Sequence, residues 1–589
     1  MENFYSRVRQ SKIFGKLPKV NEIEKAITSF SKKEWIVFSV LVAILTISTL
    51  AILQSINKSF LVSVPMKGGI ISEGIIGTPR FINPVLALSD TDNDLTTLIY
   101  SGLMRKNQDG DIVPDLAEKI EPSKDGLAYT VTLKDKIFFH DDAPITADDV
   151  IFTVNAVKDP IIKSPHKSDW DGISVEKVDE KNIKFVLKQP YASFLDNLTL
   201  GIMPEKVWAN SPIELNDANT NPVGSGPYMI SKVNKTSGGT IDSYELVPFK
   251  KFILEEPYLK NLNLYFYTNE NSLITAYENG TVDQISSITP ENAKILKERN
   301  YRIESAVLPR VFGLFFNQNQ NQIFTNRKIR EAIDKAIDKE RIVNEVLQGY
   351  GIVLENPIPP NIISYEKLST NNEENQETRT KKAVDLLAKD GWKVGTSGFL
   401  EKTTTVKKKK TTQVLEFSIS TGNTPDLVKS AELIKQDLTA IGMKVDVKTF
   451  DIGNLNQGVI RPRKYDVLLF GQIINHESNL IAFWHSSQRN DPGLNVAMYT
   501  NAKVDKILES AFVTTDEKAR VKKYAQFEDE IKKDIPAVFL YSPNFIYAVS
   551  KNIQGLNIDH ITSPSNRFLN SYSWYTEVDN VWKIFTNNK

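Results

Sequence analysis

The residues best equipped for chemistry sit in a few short runs. His140 is followed by Asp141 and Asp142, with Asp148 and Asp149 just beyond, residue types that can hold a divalent cation. A calcium loop needs a denser ligand rhythm than this. Thr146-Ala-Asp-Asp149 instead has the spacing of a helix capping box, with Asp149 favoured by the helix dipole. Asp141-Asp142-Ala-Pro144 before it reads as a turn. Gly224-Ser-Gly-Pro-Tyr228 has the outline of a phosphate loop, but Pro227 would block the helix start and no Lys-Ser/Thr pair follows. It reads as a structural turn. Nucleophile elbow, metalloprotease and dinucleotide motifs are missing, and none of the 5 histidines has a partner at i,i+4. Cysteine is absent, which removes disulfides, thiol nucleophiles, Cys-ligated metals and a lipid-modified N-terminal cysteine together. Carboxylate pairs for glycoside hydrolysis are not signalled either. The chain reads as no enzyme, with no metal and no cofactor.

The elements that would position any site alternate between strand and helix. Apolar residues recur every second position at Tyr129, Val131 and Leu133, at Ile183, Phe185 and Leu187, and at Val445 and Val447. Residues 424–442 predict a helix: Thr424 as N-cap, Pro425 at the first helical position, a stripe through Leu427, Ala431, Ile434, Leu438 and Ile441, and Gly442 to stop it. A second stripe through Ile329, Ile333, Ile337, Val343 and Leu347 predicts one helix over 327–348, ended by Gly349. Mixed α/β architecture follows. Residues 366–380 are polar without periodicity and 401–412 are basic and low in complexity; both read as surface insertions, the second as a solvated hairpin tip.

With 589 residues, 41% hydrophobic and 24% charged, the chain has material for roughly two to four domains. Lys+Arg and Asp+Glu are both 72, so no field for nucleic acid is expected. One stretch is not globular. From Trp35 to Asn57 there is no charged residue, and about 20 apolar residues suffice to cross a bilayer. Eight cations precede it, from Arg7 to Lys33, against four glutamates, so residues 1–34 are expected in the cytoplasm and everything beyond Lys58 outside. The run exceeds a signal peptide's apolar region and no A-x-A-like site follows, so 35–57 reads as an uncleaved single-pass anchor. Setting aside the nine cations and four anions of residues 1–58 leaves 63 against 68, a mildly acidic exported part.

Read in order, the runs that fail as catalytic motifs resemble the family 5 extracellular solute-binding proteins, the oligopeptide- and dipeptide-binding components of ABC importers. Gly68-Gly69, Phe81-Ile-Asn-Pro84 and Ile99-Tyr-Ser-Gly-Leu103 look like the family's opening strand, Asn-Pro turn and first helix. Tyr129–Leu133, Phe138–Asp142 and Ile145–Val150 are similar to its most recognisable signature, and Val223–Tyr228 to its Gly-Thr-Gly-Pro-Tyr element. Leu314-Phe-Phe-Asn317 with Arg327–Ile337, then Tyr465-Asp466, Asn495 and Asp534-Ile-Pro536, complete the set over residues 66–585. At Asp142 the family usually has Gly, a change expected to alter a turn and not the fold.

The resemblance implies a two-lobed, periplasmic-binding-protein-like α/β fold of the large peptide-binding class, preceded here by the transmembrane helix. It implies lobe I at 66–310 with a middle subdomain near 105–222, lobe II at 311–545, and a return to lobe I at 546–589. It implies a ligand held between lobes through its backbone. The two pairing segments map to Leu88, Ser89 and Asp90, and to Gln472, Ile473 and Ile474. An aspartate that neutralises a peptide's α-ammonium in relatives maps to Asn475, with Glu477 two positions on. Either Glu477 or Asp90 takes over, or the ligand lacks a free amine. Arg461 and Arg463 are candidates for a ligand carboxylate by proximity in sequence only. Phe483 and Trp484 either shape a pocket wall or belong to the lobe II core; Asn317 either faces the cleft or ties down the hinge strand; Trp170 reads as a surface or subdomain residue. The expected function is capture of peptides by a monomeric, membrane-tethered receptor and delivery to ABC permease subunits. The alternative keeps the fold and changes the cargo to a metal chelate, haem, an oligosaccharide or a signalling peptide.

Overall fold

The computed structural model describes residues 28–360, 375–406 and 409–586, with Lys25 and Ile362; most of the expected cytoplasmic segment and of the 366–380 insertion lies outside them. Two compact units result: residues 1–66 with 578–589, and residues 67–577. Residues 578–586 therefore group with the apolar helix. In that small unit the apolar helix Lys32–Phe60 runs for 29 residues with none buried. Ser31 and Glu34 form a capping box at its start.

The large unit is built on a twelve-stranded mixed sheet. Its centre is the strand Ala537–Val549, which serves both lobes. One end pairs antiparallel with Arg310–Phe316 and Gly351–Val353, the other with Arg302–Val307 and Gln284–Ser286. Buried side chains form clusters on either side of that strand's middle. One set gathers residues between Ile71 and Leu308 with Phe545–Trp574, the other residues between Val311 and Tyr541. A four-stranded antiparallel sheet, Ala117–Pro122, Ala128–Leu133, Asn182–Leu187 and Ile173–Lys177, is attached to the first set. Period-two alternation accounts for it: Val131, Leu133, Ile183, Phe185 and Leu187 point inward. Trp170 is buried in this sheet's core beside Phe185.

Helix Pro425–Ala440 forms with Thr424 as N-cap and buries Ala431, Ile434 and Leu438; Gly442 then takes φ +88°. The helix expected over 327–348 is instead two, Arg327–Ala336 and Lys339–Glu345. Asp338 breaks it: its carboxylate accepts from the Arg341 N–H at 2.9 Å, and its own N–H is spent on Asp437 at 3.0 Å. Residues 376–380, expected in a surface insertion, open the helix Gln376–Lys389 behind an Asn375 cap. The basic stretch 401–412 is a hairpin of Leu400–Val406 and Lys409–Val414, its tip outside the described residues.

The aspartates around His140 have structural tasks. Thr146 and Asp149 form the expected capping box of helix Ala147–Lys158. Asp141, Asp142 and Asp148 pair with Lys206, Lys251 and Lys177. Asp142 takes φ +66°, the left-handed position that glycine, asparagine and aspartate tolerate best. His140 accepts from the Gly224 N–H at 3.3 Å and donates from Nε2 to the Gly226 carbonyl at 3.1 Å. Burial pushes its pKa down to about 4, so it is neutral and tautomerically fixed. Two separate sequence runs thus form one corner. Glycines 224 and 226 are required there because a Cβ on either would meet the Ile99 backbone, at 2.0 and 2.6 Å.

Candidate ligand-binding site

The first wall is the segment from Asn83 to Asp90. The Asn83 carboxamide oxygen accepts from the Val85 and Leu86 N–H groups at 2.8 and 3.2 Å, folding the Asn-Pro turn, and its amide donates to Asn219. Ser89 caps helix Asp90–Ile99 by accepting from the Asp92 N–H at 3.1 Å. Asp92 in turn accepts from the Arg80 and Phe81 N–H groups, so the turn is held at both ends. What this frame presents is open. Leu88 is 77% exposed, Ser89 and Asp90 are also exposed, and among the described residues the Leu88 and Ser89 N–H groups make no hydrogen bond.

The second wall is the strand Val467–Ile473. It pairs antiparallel along its whole length with Arg310–Phe316. On its other side it meets Glu416–Gly422 only at Val467 and Leu468. From Phe470 to Ile473 that edge has no strand neighbour among the described residues, and it offers unpaired amides and carbonyls to an extended chain. Ile473 is half exposed, whereas Ile474 is fully buried, with its N–H on the Pro309 carbonyl. Gln472 is also buried, and the side-chain oxygens of Gln472 and Asn475 have no partner among the described residues, a costly state that a polar ligand group or water would relieve.

Arg310 joins the walls. It is the Cα partner of Ile473, and it lies within electrostatic reach of Asp90. Partial desolvation of the carboxyl and neighbouring Asp94 push the Asp90 pKa up, while Arg310 and Arg567 pull it back. Burial lowers the Arg310 pKa, and Asp90 opposes the shift. Neither side chain has an ion pair or hydrogen bond among the described residues. Sequence reasoning missed Arg310; a lone arginine before an apolar strand carries no signal until the topology sets it opposite Asp90.

The other expected contacts are engaged elsewhere. Glu477 pairs with Arg520 at 2.5 Å and is not free to meet an amine. Trp484 is 1% exposed among Phe315, Tyr499, Phe527 and Phe539, a core residue and no pocket wall. Asn317 is a tie: its amide donates to the Arg463 carbonyl and its oxygen accepts from the Asn319 and Gln320 N–H groups. Arg463 is engaged by the carbonyls of Ile460, Arg489 and Gly493, and Arg461 lies exposed beside Asp491.

Beyond Glu477 a clasp joins the two sets of cores. Tyr191 stacks on Phe512 with centroids 4.8 Å apart and shares a hydrogen bond with Ser478. The Ala192 N–H donates to the Phe512 carbonyl at 3.1 Å, and His476 Nδ1 lies 3.4 Å from Asp196.

Two lobes sharing a central strand, an exposed turn on one, an open strand edge on the other and unpaired charges between them define a solute-binding clamp. Residues 111–491 match the model of the bacterial extracellular solute-binding proteins, family 5 (its middle region), and the chain belongs to that family. It is 28% identical over 500 residues to the oligopeptide-binding protein AppA of Bacillus subtilis, covering 83% of this chain and 89% of that one. The structure of that protein with a nonapeptide is similar at a TM-score of 0.65 and 27% identity, covering 87% of this chain and 100% of the other. NikZ of Campylobacter jejuni in complex with Ni(L-His) is similar at a TM-score of 0.66 and 27% identity, covering 86% and 99%.

Proposed function

We propose that the protein is an extracytoplasmic receptor, anchored by helix Lys32–Phe60, that captures peptides and passes them to the permease of an ABC importer. In this reading an extended peptide pairs with the edge Phe470–Ile473 and with the free amides of Leu88 and Ser89. Asp90 takes the α-ammonium. The observation that carries it is the coincidence of an unpaired strand edge with two unpaired opposite charges at its end. Kinship with a protein named for oligopeptide binding supports the cargo. The helix is long and apolar enough to span a bilayer, which supports the anchor.

Binding of the full chain in lipid nanodiscs to a peptide library checks the proposal. Stabilisation by members with free N-termini, lost on N-acetylation, is the expected result; no stabilisation by any member would sink it.

A second reading has its own support. Asp90 and Arg310 are near enough to feel one another's charge, so a compact zwitterion would span both where a long peptide meets only one. A neighbouring fold holds Ni(L-His). If a metal–histidine chelate stabilises the protein and peptides do not, this reading replaces the first.

A further inference from the structure

The chain's C-terminal segment does not end in the large unit. Strand Glu577–Trp582 pairs with Leu61–Met66, the strand that follows the apolar helix without a loop. Ser63 Oγ donates to Asn580 at 2.8 Å. The Trp582 indole N–H donates to the Asn57 side chain at 2.8 Å, and its ring lies 6.3 Å from that of Phe60. The surface so formed is strongly apolar for one facing water: Phe60, Trp582, Ile584 and Phe585 are 54%, 46%, 68% and 74% exposed. Lys58 and Lys583 flank it.

The helix supplies a depth gauge. Phe30, Trp35 and Phe38 form an aromatic cluster at its first end. From Trp35 to Asn57 the rise is about 33 Å at 1.5 Å per residue, and a bilayer's hydrocarbon core is about 30 Å thick. Asn57 therefore falls at the far headgroup layer, and the hydrogen bond to Asn57 sets Trp582 at the same depth. Indoles, with an apolar body and a polar N–H, favour that layer, apolar rings beside them sink their faces towards the acyl chains, and neighbouring lysines reach the phosphates.

Resting on the anchor reading above, we propose that the C-terminal segment Val578–Phe585 is a second membrane contact, laid on the outer end of the helix with Trp582 and Phe585 in the lipid headgroup layer. The bilayer is the occupant because the patch is continuous with a helix that is unburied throughout and carries no charge between Glu34 and Lys58.

Full-length protein in phosphatidylcholine vesicles tests this through tryptophan quenching by lipids brominated near the headgroup or near the bilayer centre. Trp582 emission is the difference between the natural chain and Trp582→Phe. The expected result is a blue-shifted component lost to the shallow bromines and little affected by the deep ones. A Trp582 component quenched by neither overturns the proposal, whether a second copy or another protein covers the patch. Should Trp582→Phe misfold, Phe585→Trp at an exposed site adds a reporter that must show the same shallow quenching. Alkaline extraction separates the two readings. A chain that resists extraction with Trp582 unquenched refutes only the second contact, whereas a chain released from the vesicles refutes the anchor itself.

Discussion

Two acidic residues one helical turn apart, Asp90 and Asp94, have opposite fates. Asp94 is buried and bidentate with Arg567, whose guanidinium nitrogens lie 2.7 and 2.8 Å from its oxygens. Arg567 also reaches Glu73, which accepts further from Tyr547 at 2.7 Å and Gln284 at 2.9 Å, and Phe568 covers the guanidinium face at 4.1 Å. Each of the three charged groups is hydrogen-bonded within the fold, the two carboxylates sharing one guanidinium. Asp90, at the start of the same helix, is exposed and has Arg310 within reach but not in contact. The difference separates scaffold from site. A charge that the fold neutralises holds the lobe together, and one it leaves open is available to a partner, the role proposed above for Asp90.

The comparison breaks most visibly at Arg567. Removing it leaves Glu73 and Asp94 buried without a counter-charge, and burial already pushes Glu73 upward. Breaking a buried pair in this way costs about 3–5 kcal/mol. Arg567→Ala should lower the urea midpoint of the large unit accordingly; an unchanged midpoint would mean that the cluster is solvated and the contrast with Asp90 empty.

Asp90→Asn should do the reverse, leaving the unfolding curve in place and weakening binding. Losing a hydrogen bond to a charged group costs about 1.5–3 kcal/mol, on the order of 10- to 100-fold in Kd, read by calorimetry with free-amine peptides and absent with N-acetylated ones. The pH dependence has a definite sign. The free Asp90 carboxyl is raised, and a ligand ammonium would lower it again. Binding therefore releases protons when pH lies between the two values, and affinity falls as pH drops through that window. Equal loss for acetylated and free peptides would remove Asp90 from amine recognition.

Why one half of this contrast was legible in sequence and the other was not is a matter of chain separation. Local rules found the strands around Val131 and Phe185, the Thr424 cap and the Thr146–Asp149 box, because each depends on residues within a few positions. They failed at Asp338, where a cap inside an apolar stripe divides one expected helix into two. The Glu73–Asp94–Arg567 cluster and the Asp90–Arg310 pair join residues separated by hundreds of positions, and only the path of the central strand brings them together. The same holds for Glu477. In sequence it stood two places from an expected ammonium ligand, but helix Glu517–Asp534 brings Arg520 to it.

The smallest effect is expected at the clasp, where a charge is answered across the cleft instead of within a lobe. Burial alone would raise the Asp196 carboxyl, but the His476 hydrogen bond and the charges of His476, Lys106 and Arg520 outweigh it and hold the pKa below the usual 3.8. His476 and Arg520 lie beyond the cleft, so separation of the lobes takes their share away and the pKa climbs back. A group depressed in the closed form favours closure above its ordinary value, and that contribution is lost as pH falls through the depressed one. Both partners are partly exposed, so the pair is worth about 0–1 kcal/mol. Small-angle scattering or a distance probe between the lobes should show the closed fraction declining as pH falls through the carboxylate range. Asp196→Asn should flatten that decline. If the asparagine variant opens at the same acidity as the natural chain, another carboxylate governs the clasp, and Asp196 joins Asp94 as scaffold.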